Sequence, residues 1–324
     1  MATSTGHTFD YDAAQVATVT AKLVQEDSLL SALVSRNYTD EFLAPGSAGR
    51  PVKIKYPTTL FARERDIDDV TTAIEMDAIV ESGTTINLDR KMVYSAVPLS
   101  EEDLNLNLKD FSGQVLRPQA AAVAEDLEHR VASKLLSIDA PASFTASYDP
   151  TNPVAYFTKL REHLRKNGVP AAGIQVVVGV GIFSDLLDAK AITDASESGS
   201  TAALREAQIG KVRGFTVIES TRVDDMEVLA FHKDAVTLVT RAPAVPAGAS
   251  FGQSVTEGGF NMRYLRDYDA TKTVDRSIVA TFAGVAVLPT FKVERNHETR
   301  VASIKEIENG GVVHIADVTA SAGA

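Results

Sequence analysis

Two strand-like patterns separated by a charged connector constrain this chain more than any other feature. Val52, Ile54 and Tyr56 alternate with Lys53 and Lys55, as a half-buried strand requires, and Thr84, Ile86 and Leu88 followed by residues 92–97 read as the returning strand. Between them run Arg63, Glu64, Arg65, Asp66, Asp68 and Asp69, then Glu75, Asp77 and Glu81. The pattern predicts a long hairpin with a polar tip. An isolated two-stranded hairpin is marginal in water, so this one needs a partner surface, in its own chain or in another's.

The flanking sequence reads as mixed α and β. Residues 10–36 place Val16, Val19 and Leu23 on one helical stripe and Leu29, Leu30, Leu33 and Val34 on a second. A core helix and an N-terminal arm lying on a neighbour fit this segment equally, and residues 44–49 (APGSAG) break it. Ser100 followed by Glu101, Glu102 and Asp103 predicts a helix start, with acids meeting the helix dipole. Pro118 should break or kink that helix. Val123, Leu127, Val131 and Leu135 then recur every four residues, with Glu125, Asp126, Glu128, Arg130 and Lys134 on other faces. A helix over 119–137 would run about 28 Å.

Asn152-Pro153 opens a second helix whose apolar face is Val154, Phe157, Leu160 and Leu164, and Asn167-Gly168 ends it. A buried strand at 174–178, a short helix at 183–189 and a loop at 196–201 come next. Further strands are expected at 215–218, 228–231, 236–240, 260–265 and 278–282, with another apolar run at 285–288. Beyond Glu298, strands at 301–307 and 312–318 should be turned at Asn309-Gly310, a hairpin dipeptide. Residues 320–324 are small and should fray. No repeat of solenoid period is present.

The residues offer little chemistry. The chain has 324 residues, 44% hydrophobic and 23% charged, which gives room for two modules and excludes a largely disordered chain, a collagen and a coiled-coil rod. The longest nearly unbroken apolar run, 174–183, is about half of what spans a bilayer, and the first seven residues show no basic stretch leading into an apolar one, so neither a membrane span nor a signal peptide is expected. With no cysteine, disulfides, thiolate metal sites and cysteine nucleophiles are excluded. A net charge of −11 disfavours a general nucleic-acid binder.

Gly179-x-Gly181 stands where a dinucleotide fingerprint would, but Ser184 replaces the third glycine, and a strand-to-helix turn wants glycine for steric reasons alone. His7, His129, His163, His232, His297 and His314 show no metal-ligand spacing, and His129 and His163 fall on polar helix faces. Asp66-x-Asp68-Asp69 lacks the glycine and terminal glutamate of a calcium loop. Asp224-Asp225 and Glu101-Glu102 cannot converge across a substrate, G-x-S-x-G is absent, and Asn37-Tyr38-Thr39 is a formal glycosylation sequon without a secretory context. No catalytic, cofactor or metal residue is expected. What remains is a charged hairpin, an arm and a tail, each easier to stabilise between copies than within one.

Two short motifs carry a family resemblance. Residues 209–220 (IGKVRGFTVIES) resemble a stretch of tailed-bacteriophage major capsid proteins, and residues 230–235 (AFHKDA) are similar to the segment that follows it in podovirus-type coat proteins. The order of elements over nearly the whole chain also resembles the Hong Kong 97-like capsid fold. The resemblance implies an α+β fold with an N-terminal arm (1–50), an extended E-loop hairpin (51–98), a peripheral domain with a long spine helix (99–150), an axial domain (151–259), strands returning near 260–297 and a C-terminal extension (298–324). It implies pentamers and hexamers in an icosahedral shell around double-stranded DNA that is not read by sequence. Scaffolding, portal and decoration proteins are the expected partners, with assembly in the host cytoplasm and residence in the virion. An encapsulin-like compartment shell shares the fold, and a tail-tube subunit or an enzyme are the more distant alternatives. Arg63, Arg65, Asp68, Asp69, Glu75, Asp77 and Glu81 are the expected intersubunit contacts. The sequence shows no long scaffolding region at its N-terminus, no large inserted domain, and no position to which a lysine–asparagine crosslink can be assigned.

Overall fold

The computed structural model describes residues 13–26, 29–36, 52–55, 83–86, 91–99, 111–189, 208–249, 251–257, 259–269, 271, 274–296 and 301–319, with single positions between 60 and 79. The expected break at 44–49, the sequon at 37–39, the helix start at 100–103, the loop at 196–201 and the tail at 320–324 lie outside these residues. The chain divides into two units. Unit 1 gathers 1–52, 86–133 and 237–286, and unit 2 gathers 53–85, 134–236 and 287–324.

Unit 1 is built on an antiparallel sheet in the order β3-β11-β10-β9, with β8 also pairing β11. β3 is Met92–Leu99, β8 Val236–Arg241, β9 Phe251–Glu257, β10 Phe260–Asp269 and β11 Val274–Val287. β11 absorbs both the strand expected at 278–282 and the apolar run after it. β9 has no clean alternation of apolar residues and escapes a sequence reading. Its register, Met262 opposite Val255 and Leu265 opposite Gly252, comes from β10.

Helix α1 (Ala13–Glu26) packs on β9 and β10, burying Val16, Ala17, Ala21 and Val24 completely. Of the two readings left open for this segment, the core helix holds. The one-turn helix α2 (Leu30–Leu33) follows, and Ser35 bridges Thr237 in parallel. Residues 13–26 and 29–36 are thus parts of unit 1.

The long helix α3 spans Arg117–Leu136, preceded by a wide π-turn at Ser112–Leu116 in which the Arg117 N–H donates to the Ser112 carbonyl. Pro118 has no N–H to give and its ring crowds the carbonyl four residues back, and a π-turn is where a helix absorbs such a misfit. The helix therefore continues through the proline instead of breaking. Val123, Leu127, Val131 and Leu135 are buried as expected, Ala120 and Ala124 are buried beside them, and His129 is exposed. Two polar side chains are buried as well. Gln119 donates to the carbonyls of Ser95 (3.1 Å) and Ser277 (2.9 Å) and accepts from the Ser277 hydroxyl (2.7 Å), joining the helix to β3 and β11. Glu128, placed by periodicity on an outer face, is 1% exposed. It accepts from the backbone N–H groups of Leu29 (3.0 Å), Leu30 (2.7 Å) and Ser31 (2.8 Å) and from the Ser31 hydroxyl, and so caps α2. Burial of a carboxylate needs such partners, and they come from a segment about a hundred residues away that no helical period reveals.

Unit 2 holds a five-stranded sheet in the order β14-β7-β4-β6-β5. β4 is Ile174–Val178, β5 Gln208–Val212, β6 Phe215–Glu219, β7 Val228–His232 and β14 Val312–Ile315. Helices α4 (Pro153–Lys166) and α5 (Val180–Asp188) contribute Phe157, Leu160, Leu164, Ile182 and Leu186 to a core with Val176, Phe215, Val217, Ala230 and Val313. Gly168, at φ +86, ends α4 as expected.

The C-terminal expectation needs correction. Asn309 (φ 52) does turn the chain, but β13 (Val301–Ile307) pairs with β12 (Thr290–Asn296), and β14 pairs with β7, so the two flanking strands belong to different sheets. Residues 312–315 are an integral edge strand, with Val313 wholly buried, and not an appended tail. Burial of Val312 and Val313 against β7 outweighs the local hairpin preference of Asn-Gly.

Candidate assembly surface

Only the first part of the predicted hairpin pairs as expected: residues 92–97, read as part of its returning strand, lie instead in β3 and pair with β11, where burial of Val93 and Leu99 in the unit 1 sheet decides their place. β1 (Val52–Lys55) pairs with β2 (Gly83–Ile86) as a two-stranded sheet. Of the residues expected to contact a neighbour, Asp68 is described and exposed, while Arg63, Arg65, Asp69, Glu75, Asp77 and Glu81 lie outside the described residues. The described positions between the strands reveal something the charges had masked. Ile67 is 97% exposed and Met76 91%, and Leu60, Ile74 and Ile79 are exposed too. Single exposed apolar residues are ordinary, but several on one connector signal a surface awaiting a partner. Their sequence signal was present in residues 67–79, overshadowed by the acids beside them.

The two motifs behind the family resemblance are structural devices. In 209–220, Arg213 (φ 52) and Gly214 (φ 88) make a two-residue turn between β5 and β6, with Val212 opposite Phe215. Positive φ at both central positions matches the strand twist, and glycine adopts it without strain. In 230–235, His232 closes β7: its Nε2 donates to the Ala172 carbonyl (2.9 Å) and its Nδ1 accepts from the Asp234 N–H (3.2 Å), capping the turn that follows.

Gly179 and Gly181 are explained by contact. A Cβ on Gly179 would lie 1.9 Å from the Asp224 carbonyl oxygen, and one on Gly181 would lie 2.8 Å from Met226 Sδ. The Asp225 carbonyl takes the N–H groups of Gly181 (3.1 Å) and Ile182 (3.2 Å), so the first turn of α5 is already capped from within the chain. His314 sits between the Ile138 carbonyl (2.8 Å from Nδ1) and Glu227 Oε1 (2.6 Å from Nε2), a buried clasp on β14. Among the described residues no three His, Asp or Glu side chains gather as metal ligands, and no helix is long and apolar enough to cross a membrane.

A cleft of about 780 Å³ opens in unit 2 between residues 143–149 and one face of α4. Phe144 and Tyr148 lie edge-on to Tyr156, each 5.5 Å between ring centroids, and Phe144 also meets His163 at 5.6 Å. The Tyr148 hydroxyl donates to Asp185 Oδ2 at 2.8 Å. Burial, reinforced by the neighbouring Asp185 carboxylate, raises the Tyr148 pKa far above its ordinary value, so the hydroxyl stays protonated. Burial, and then the charge of Lys166, lowers the pKa of His163. His163 is half-buried here and not on a solvated face.

No family model matches this chain, and no curated protein sequence does. Solved structures do. A protein of Mycobacterium phage Che8 superposes with a TM-score of 0.55 over 89% of this chain and 90% of that one, at 21% identity. The capsid asymmetric unit of cyanophage A-1(L) superposes with a TM-score of 0.51 over 98% and 97%, at 11% identity. The fold is that of phage capsid proteins. It is the Hong Kong 97-like α+β fold.

Proposed function

We propose that this chain is the major capsid protein of a tailed bacteriophage. Copies assemble as pentamers and hexamers into a closed icosahedral shell that encloses double-stranded DNA without reading its sequence, and the chain has no enzymatic role. The observation that carries this reading is the likeness to the cyanophage A-1(L) capsid protein, which spans nearly the full length of both chains. The exposed Ile67, Ile74, Met76 and Ile79 support it, because a monomer gains nothing by presenting them to water.

In this reading, residues 51–98 are the loop that reaches an adjacent subunit. Arg63 and Arg65 meet acids there, Glu75, Asp77 and Glu81 meet basic groups, and Asp68 and Asp69 lie in the same contact. Exposed ion pairs contribute about 0–1 kcal/mol each, so they set register while the apolar residues supply contact energy. Assembly takes place in the host cytoplasm with scaffolding and portal partners, and the mature location is the virion. Negative-stain microscopy and light scattering of the purified chain, alone and with a co-expressed scaffold, test the proposal. Closed shells tens of nanometres across are expected, holding DNA when recovered from infected cells. A discrete dimer or tetramer under every condition would overturn it, and shells filled with an enzyme cargo would replace the virion with a protein compartment.

A further inference from the structure

We propose that Arg263, on one face of the unit 1 sheet, receives a carboxylate from the connector 66–81 of a second copy of this chain. The inference rests on the shell reading and names the basic group that the connector's acids meet.

Arg263 is a buried cation without a counterion. Residues opposite one another in a sheet share a face, so Arg263 of β10, Ala280 of β11 and Tyr94 of β3 lie on the same side. The arginine is 8% exposed. Its Nη1 donates to the Ala244 carbonyl (2.7 Å), its Nη2 meets the thioether of Met92 (3.9 Å), and its buried Nε has no partner. Burial lowers its pKa, and no neighbouring acid acts in the other direction. A guanidinium withdrawn from water carries a cost that one carbonyl does not offset. Arg276, on the same face, shows the usual remedy, pairing with Asp267 (2.7 Å) and Asp269 (3.6 Å). Among the described residues Arg263 has no such acid.

The surface beside it is apolar and open. On β3, Val93 and Leu99 are buried on one face, whereas Met92, Tyr94, Ala96 and Pro98 on the other are exposed, Tyr94 by 62%. Ile278 and Phe282 of β11, opposite Ala96 and Met92, continue this face and are half-buried. Met92 is flexible and its sulfur is a weak acceptor, so a carboxylate that takes its place exchanges a poor partner for a good one. Accepting from Nε and Nη2 together, that carboxylate would make the bidentate pair a guanidinium favours most.

The sequence supplies the complement. Residues 66–81 contain Asp66, Asp68, Asp69, Glu75, Asp77 and Glu81 and no basic residue. Apolar residues stand between these acids, and Ile67, Ile74, Met76 and Ile79 are exposed. An apolar segment with acids and no cation matches an apolar face with one uncompensated cation. Within a single chain the match is unmet, since Asp68 stands exposed and Arg263 lacks an acid. A second copy brings the two together.

Arg263→Met removes the charge while keeping a long, flexible side chain. In dissociated subunits the urea midpoint should stay or rise, because an uncompensated buried cation is gone. Light scattering should show the assembly threshold raised about tenfold or more, the scale of one charge-assisted hydrogen bond. A lowered midpoint would mean that the guanidinium is satisfied within its own chain and would overturn the proposal, as would an unchanged threshold. Arg263→Lys keeps the charge and supplies an amine for carbodiimide coupling in particles assembled from mixed ¹⁴N and ¹⁵N chains. Mass spectrometry should find position 263 of one chain joined to an acid between 66 and 81 of another. Coupling within one chain, to an acid elsewhere, or none at all would also overturn the proposal and leave the shell reading intact. Failure of the unsubstituted chain to form particles would overturn both.

Discussion

Glu128 shows how a single buried carboxylate can organise a distant segment. It serves three backbone donors and a hydroxyl at the start of α2, so replacing it strands all four. Glu128→Gln keeps the shape but puts an amide N–H against backbone N–H groups. We expect it to cost about 2–3 kcal/mol, read as a lower urea midpoint of dissociated subunits with an unchanged m-value. An unchanged midpoint would mean that α2 is not held by this residue. His163 makes a second prediction. Its pKa is lowered by burial and by Lys166, so the unfolded chain takes up a proton that the folded chain refuses. Stability should therefore decline as pH falls through the region below the ordinary histidine value of 6.5, and His163→Gln should flatten part of that decline. NMR titration of His163 should give a midpoint below 6.5, and one above it would show the cleft to be wetter than its geometry implies. Neither residue stood out in the sequence. Both sit on helix faces that look polar, and their surroundings come from chain far away: α2 for Glu128, the 143–149 segment for His163.

Elements were legible where one segment's own pattern decides its structure. The long helix, the helix opened by Asn152-Pro153, and the strands at 174, 215, 228 and 236 follow from periodicity, caps and β-branched runs. β5, β9 and β12 did not announce themselves, because short polar strands are held by the neighbours they pair with. The extended loop is the element on which the functional reading turns. In Arg63→Glu with Arg65→Glu, subunits should melt as the parent does, while microscopy shows aberrant or open shells in place of closed ones. Normal shells from the double variant would remove these arginines from the contact. Ile67 and Met76 are exposed in the single chain, so if the proposed contact buries them, replacing both by serine should raise the concentration needed for assembly several-fold, and an unchanged threshold would remove them from the contact.

A whole molecule that presents such surfaces is built for many weak contacts. Interfaces of about 4–8 kcal/mol each suffice when every subunit makes several at once. Light scattering against concentration should accordingly show a threshold, with subunits below it and complete shells above. A gradual series of dimers and small oligomers would instead indicate strong pairwise contacts. At this scale the amino-acid sequence alone determined the mixed α and β character, the long helix, the strands at either end of the charged connector, and the lack of thiol chemistry. Each depends on local pattern or on composition, which a single strand of text carries in full. Tertiary structure decided the rest: that α1 belongs to unit 1, that Pro118 is absorbed by a π-turn, and that Glu128 is a buried cap. It also decided that β14 leaves the Asn309-Gly310 turn to join β7. For α1, Glu128 and β14 the outcome was set by burial against residues remote in sequence, and burial is a property of the folded chain rather than of any segment within it.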